Sequence, residues 1–147
     1  MSEAAEITQP STAPLQWEYA SSTEATDILE LESRYGLFID GEFVKPKTRK
    51  YFETINPATE EPIAEIAEAG EADVDAAVVA ARKAHTEVWG PMPGRERAKH
   101  IFRIARMIQE RSRELAVLET IDGGKPIKEA RDVDLPLVAA HFFYYAG

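Results

Sequence analysis

Three histidines, the carboxylate pairs Asp73/Asp75 and Asp132/Asp134, and the turn Gly124-Lys125-Pro126 are the residues whose types and spacing invite chemistry. His85, His100 and His141 stand far apart, and none has a second histidine or a carboxylate at metal-ligand spacing. The carboxylate pairs sit near expected helix starts, where negative charge stabilises the helix dipole without a catalytic role. A phosphate loop needs Ser or Thr after its Gly-Lys, whereas Pro126 follows Lys125 and Glu119 occupies the first glycine position. The dinucleotide fingerprint G-x-G-x-x-G and the nucleophile elbow G-x-S-x-G are both absent. With no cysteine in 147 residues, disulfides, thiolate zinc sites, iron–sulfur ligation and cysteine nucleophiles are excluded. No residue is therefore assigned a catalytic or coenzyme-binding role.

The elements that would position any site read as mixed α/β. Leu37-Phe38-Ile39 and Glu42-Phe43-Val44 flank Asp40-Gly41, a dipeptide suited to the positive φ of a two-residue hairpin. Tyr51–Ile55 and Ile63–Ile66 form a second strand pair around the turn-rich segment from Asn56-Pro57 to Pro62. Beyond Gly70 the period changes from two to 3.6. Val74, Ala77, Val78, Ala81 and Ala84 line one helix face, and His85 closes that helix with a charge its dipole favours. After the breaker Gly90-Pro91-Met92-Pro93-Gly94, a second helix turns Ile101, Ile104, Ala105 and Ile108 inward and its arginines outward. A third starts at Ser112 and stops at Gly123-Gly124; a fourth starts near Asp132, with Val138, Ala139, Phe142 and Tyr145 on one face and His141 among aromatics. Two hairpin-like strand pairs followed by about four helices is the expected order.

Charge divides the chain. Residues 1–34 place seven carboxylates (Glu3, Glu6, Glu18, Glu24, Asp27, Glu30, Glu32) ahead of the first basic residue, Arg34, and hold most of the net −9. This segment reads as an acidic mobile tail, or alternatively as a short docking helix through Ile28, Leu29 and Leu31. The overall acidity argues against nucleic acid or an anionic membrane as partner. Apolar runs are only a few residues long and no signal-peptide pattern opens the chain, so a cytoplasmic location is expected. Ending on Phe142-Phe143-Tyr144-Tyr145-Ala146-Gly147, in mid-helix and among aromatics, the sequence reads as an incomplete domain.

Five blocks in order carry a resemblance: Leu37-Phe38-Ile39-Asp40-Gly41-Glu42-Phe43, Ile55-Asn56-Pro57-Ala58-Thr59, Glu71-Ala72-Asp73-Val74-Asp75-Ala76-Ala77-Val78, Leu118-Glu119-Thr120-Ile121-Asp122-Gly123-Gly124-Lys125-Pro126 and Tyr144-Tyr145-Ala146-Gly147. Together they resemble the N-terminal segment of an NAD(P)-dependent aldehyde dehydrogenase, with residues 35–147 as the first part of its coenzyme-binding domain. Family members oxidise aldehydes to acids through a cysteine thiolate, a hydride transfer to nicotinamide and a water-activating glutamate. Those groups follow the Tyr-Tyr-Ala-Gly block in full-length members, and Asn56 belongs to a turn instead of the oxyanion site. The resemblance therefore implies NAD or NADP for the whole enzyme and no coenzyme binding by this chain alone.

The resemblance also implies two peripheral roles. Leu137 would line the aldehyde tunnel, and a monovalent cation would sit between the carbonyl of Ile55 and Asp122. Two positions depart from the family pattern: Glu60 replaces the usual glycine of its turn, and Gly123 stands where asparagine is common. Three readings follow: a piece of a dehydrogenase that is inactive alone, a subunit completed by a second chain carrying the catalytic half, and a non-catalytic interaction module. Family members form homo-oligomers. Helix faces meant for an absent sheet should leave the isolated chain with exposed apolar patches.

Overall fold

A computed structural model describes residues 25–147, so most of the acidic tail lies outside the described residues. Ile28 and Leu29 do not start a docking helix: Thr26–Ile28 is a single 3₁₀ turn, and Leu29 is extended at φ −93 and ψ 120. Five strands follow, β1 (Arg34–Tyr35), β2 (Leu37–Ile39), β3 (Glu42–Val44), β4 (Tyr51–Ile55) and β5 (Pro62–Ala67). The helices are α1 (Glu71–Ala84), α2 (Gly94–Glu110), α3 (Ser112–Gly123), the single turn α4 (Ile127–Glu129) and α5 (Leu135–Ala146).

Strands β2 and β3 form the expected hairpin, with Ile39 opposite Glu42. Asp40 at φ 55 and Gly41 at φ 84 supply the two positive angles of its turn. The second pair, β4 and β5, is antiparallel and gains a partner that the alternation pattern did not show: β1 lies parallel to β5, giving the order β1-β5-β4. Arg34, which the charge pattern placed in the tail, is thus a strand residue facing Glu65 and ion-paired with it. Two residues are too short to show a period, which hides β1 from sequence.

Helix α1 begins on a buried carboxylate. Asp73, 3% exposed, accepts the Gly70 N–H at 3.0 Å and receives the Lys47 N–H at 3.2 Å on both oxygens. One side chain therefore satisfies an orphan helix donor and ties the loop before β4 to the helix. His85 does not close the helix. It is in helical geometry, and a π-helical segment His85–Trp89 continues α1 until Gly90, whose N–H reaches the His85 carbonyl at 2.7 Å. A second π-helical segment, Ala130–Asp134, joins α4 to α5.

The helical core is built from small residues. Ala105 and Ala130 are fully buried, Ala116 and Ala139 nearly so, and Val117 and Leu135 complete the set. Small side chains let α2 and α5 run antiparallel in close contact, with Phe102 meeting Phe143 edge to face at 4.9 Å between ring centres. Several larger apolar side chains point elsewhere. Ile104, expected inward, is 43% exposed, and Val138 and Tyr145 on α5 are also exposed. The apolar face of α1 is open as well, with Val74 at 54% and Val78 at 49%. Period alone marks an apolar face without saying what covers it.

Replacing Asp73 with alanine leaves the Gly70 and Lys47 amides without their acceptor, at a cost of about 2 kcal/mol. The expected result is faster hydrogen exchange at those two amides by roughly tenfold or more. Asp75→Ala, at an exposed position, leaves them unchanged.

Candidate functional site

The sheet meets the helices where β4 ends. Thr54, one residue before Ile55, donates its hydroxyl to Asp122 Oδ1 at 2.5 Å, from the strand to the last turn of α3. Next to it, Gly124 caps α3 in left-handed geometry, φ 70 and ψ 13, with its N–H on the Thr120 carbonyl at 2.9 Å. A Cβ on Gly124 would lie 2.8 Å from Pro57 Cγ. Both the positive φ and the close approach demand glycine there.

The turn after β4 is held locally. Asn56 Oδ1 accepts the Ala58 N–H at 2.9 Å, which confirms a turn role for this asparagine. The Asn56 N–H bonds the Glu61 carbonyl, and Asn56 O accepts from Glu60 at 2.8 Å with Glu60 at φ 61. Opposite Ile55 stands Pro62, which has no N–H to donate to the Ile55 carbonyl. Strand β4 is the edge of its sheet among the described residues. The structure thus brings Thr54, Ile55 and Asp122 to one place.

Lys125 anchors the following segment. Its ammonium is ion-paired with Asp134 and lies 3.5 Å from Glu119, spanning α3 and the π-helical segment. The Asp134 hydrogen bond, reinforced by the nearby Glu119 charge, holds the Lys125 amine above its ordinary range. Arg111 similarly hydrogen-bonds Glu114 in the first turn of α3 and lowers that carboxyl. As pH falls through the lowered Glu114 value this link is lost, whereas the Lys125 contribution disappears only as pH rises through its raised value.

Leu137, on α5, is 51% exposed and faces away from the buried side that carries Leu135 and Ala139. The histidines are not gathered: His85, His100 and His141 are all exposed, and His100 stacks obliquely at 6.2 Å from Trp89. His141, followed by Phe142 and Phe143 on α5, is exposed. Among the described residues no cluster of three His, Asp or Glu side chains could hold a metal ion. Sequence reasoning missed Thr54 as the partner of Asp122, and Lys125 as the tie to Asp134. Only the position of Thr54 immediately before Ile-Asn-Pro could have pointed to the first.

A strand pair running into an Asn-Pro turn that lies on the cap of α3, followed by an alanine-packed helical layer, is a mixed α/β arrangement. The chain belongs to the aldehyde dehydrogenase family, whose profile matches residues 43–147. It is 38% identical over 129 residues to an acetaldehyde dehydrogenase of Pseudomonas aeruginosa, covering 88% of this chain and 25% of that protein. It is 47% identical over 112 residues to aldehyde dehydrogenase family 2 member C4 of Arabidopsis thaliana, covering 76% and 22%. Among solved structures, the NAD+ complex of aldehyde dehydrogenase from Bacillus cereus superposes with a TM-score of 0.75 at 46% identity, covering 78% of this chain and 23% of that one. The chain spans about a quarter of the length of the curated relatives it matches.

Gly124→Ala forces both a strained φ and a clash with Pro57, whereas a Cβ on Gly123 meets nothing within 4 Å. Amides in the last turn of α3 should exchange roughly tenfold faster in Gly124→Ala and no faster in Gly123→Ala.

Proposed function

We propose that this chain supplies the N-terminal portion of an enzyme that oxidises aldehydes to carboxylic acids with NAD+ or NADP+. The observation that carries this reading is the family match over residues 43–147, together with the TM-score of 0.75 to an NAD+-bound relative. When bound, the nicotinamide coenzyme accepts the hydride of the aldehyde. The cysteine and glutamate of the reaction come from outside these 147 residues, which contain no cysteine. The chain's own contribution is structural: it packs against the coenzyme-binding sheet and forms one wall of the substrate path.

Leu137 is that wall in this reading, an exposed aliphatic side chain on α5 suited to an apolar aldehyde. A monovalent cation is held by the Ile55 carbonyl and Asp122. Its support is the donor set: an uncharged oxygen facing a proline that cannot donate, and a carboxylate already held in place by the Thr54 hydroxyl on Oδ1. Oxygen donors bearing one negative charge fit a hard cation of low charge. The partner is a second chain or segment carrying the catalytic half, within a homo-oligomer in the cytoplasm, and neither nucleic acid nor a membrane is part of the assembly. No helix of the described residues is long and apolar enough to cross a membrane.

Co-expression of the full chain with the remaining part of the Bacillus cereus enzyme as a separate polypeptide tests the reading. The pair should reduce NAD+ in the presence of an aldehyde, and neither half should do so alone. A stable but inactive pair would leave the non-catalytic module as the function. In the active pair, potassium should raise the thermal midpoint relative to tetramethylammonium, and Asp122→Ala should remove that difference.

A further inference from the structure

A basic cleft on the opposite flank of the sheet has no part in the dehydrogenase reading. Arg34, Lys45, Pro46, Lys47, Arg49 and Tyr51 line an open cavity of about 700 Å³. Four of these six side chains are cationic and none is acidic, in a chain whose net charge is −9. Arg34 is committed to Glu65 and lies over the Tyr51 ring at 4.5 Å, so it forms a fixed wall. Lys47 reaches the Ala72 carbonyl at 3.3 Å. The side chains of Lys45 and Arg49 have no ion pair or hydrogen bond among the described residues.

The loop carrying these cations is held in place. Pro46 is fully buried, the Lys47 N–H is on Asp73, and Thr48 Oγ1 donates to the Glu68 carbonyl at 2.8 Å. The Glu68 N–H returns to the Lys50 carbonyl at 3.0 Å, and the Arg49 N–H to Pro46 at 2.9 Å. Arg49 itself sits at φ 57, a conformation that costs a non-glycine residue roughly 1–2 kcal/mol. An arginine kept in a glycine conformation, beside an unpaired lysine on a tethered loop, is a preorganised cationic surface.

We propose that this cleft binds a compact, multiply charged phosphate ligand. More than one negative charge is needed to balance the cations that converge there, and the guanidinium and ammonium groups match phosphoryl oxygens. The acidity of the chain as a whole keeps extended polyanions away, while a small ligand enters the local field.

Calorimetric titration of the full 147-residue chain with inorganic tripolyphosphate tests this. Saturable binding at one site is expected, weakening as salt shortens the screening length from about 30 Å at 0.01 M to about 8 Å at 0.15 M. Lys45→Gln and Arg49→Gly should each weaken binding by roughly three- to tenfold. Arg49→Gly relieves the positive φ, so loss of binding in that variant cannot come from misfolding, which circular dichroism will verify. Lys83→Gln, which removes the same charge from the exposed end of α1, should leave affinity unchanged. Equal weakening by Lys83→Gln, unaltered binding in Arg49→Gly, or binding to phosphatidylglycerol vesicles with none to tripolyphosphate would each overturn the proposal.

Discussion

The approach of Gly124 to Pro57 is the constraint on which the arrangement of sheet and helices depends. A Cβ at position 124 would come within 2.8 Å of the proline ring, so the cap of α3 can lie against the turn after β4 only because the side chain is missing. The left-handed cap that stops α3 is the same geometry that turns the chain toward Lys125. Once that contact forms, the Thr54 hydroxyl is within reach of Asp122, and Lys125 is directed to Asp134 at the start of α5. A helix end, a strand end and the entry to the last helix are thus fixed by one residue without a side chain.

Much of this was legible from sequence where local chemistry decides the geometry. Asp40-Gly41 makes a hairpin because both residues must take positive φ, and the pair does so. The start of α1 follows from a carboxylate three residues after Gly70, and the stop of α3 from its glycine pair. Features set by distant partners were not legible. Strand β1 is two residues defined only by its neighbour β5, and the π-helical segments leave no periodic trace. His85 looked like a helix end because Gly90 and Pro91 are the first visible breakers, yet the backbone absorbs another five residues before them. Within the site, Asp122 and Ile55 were named through the family resemblance, while the Thr54 hydroxyl that bonds Asp122 came from the fold.

The core explains why periodicity misled at Ile104 and Val138. Most of the fully buried positions among α2, α3 and α5 are alanines, which let the helices approach closely, with Val117 and Leu135 the larger buried residues. Several larger apolar residues, among them Ile104, Met107, Val138 and Tyr145, lie on the flanks and stay exposed within this chain, whereas Leu135 is buried with Ile108, Leu115 and Ile127 packed against it. Surfaces such as Leu137, Tyr144 and Val79 therefore carry apolar area far beyond what scattered single residues would. In relatives four times as long, the same fold segment has much more chain available to cover such faces.

The two departures from the family pattern act on the site in opposite ways. Glu60, at the position where the resemblance implies a glycine, stands at φ 61, a left-handed conformation that carries an energetic cost for a non-glycine residue. Its N–H still reaches Asn56, and Asn56 in turn still presents Pro57 to Gly124. Gly123, where the resemblance implies an asparagine, lies in the last turn of α3, and a Cβ added there would meet nothing within 4 Å. There a glycine adds freedom to the unfolded chain. The end of α3 that holds Asp122 is therefore shaped by Gly124, whose positive φ and contact with Pro57 require glycine, and not by Gly123, which has open space where a Cβ would be.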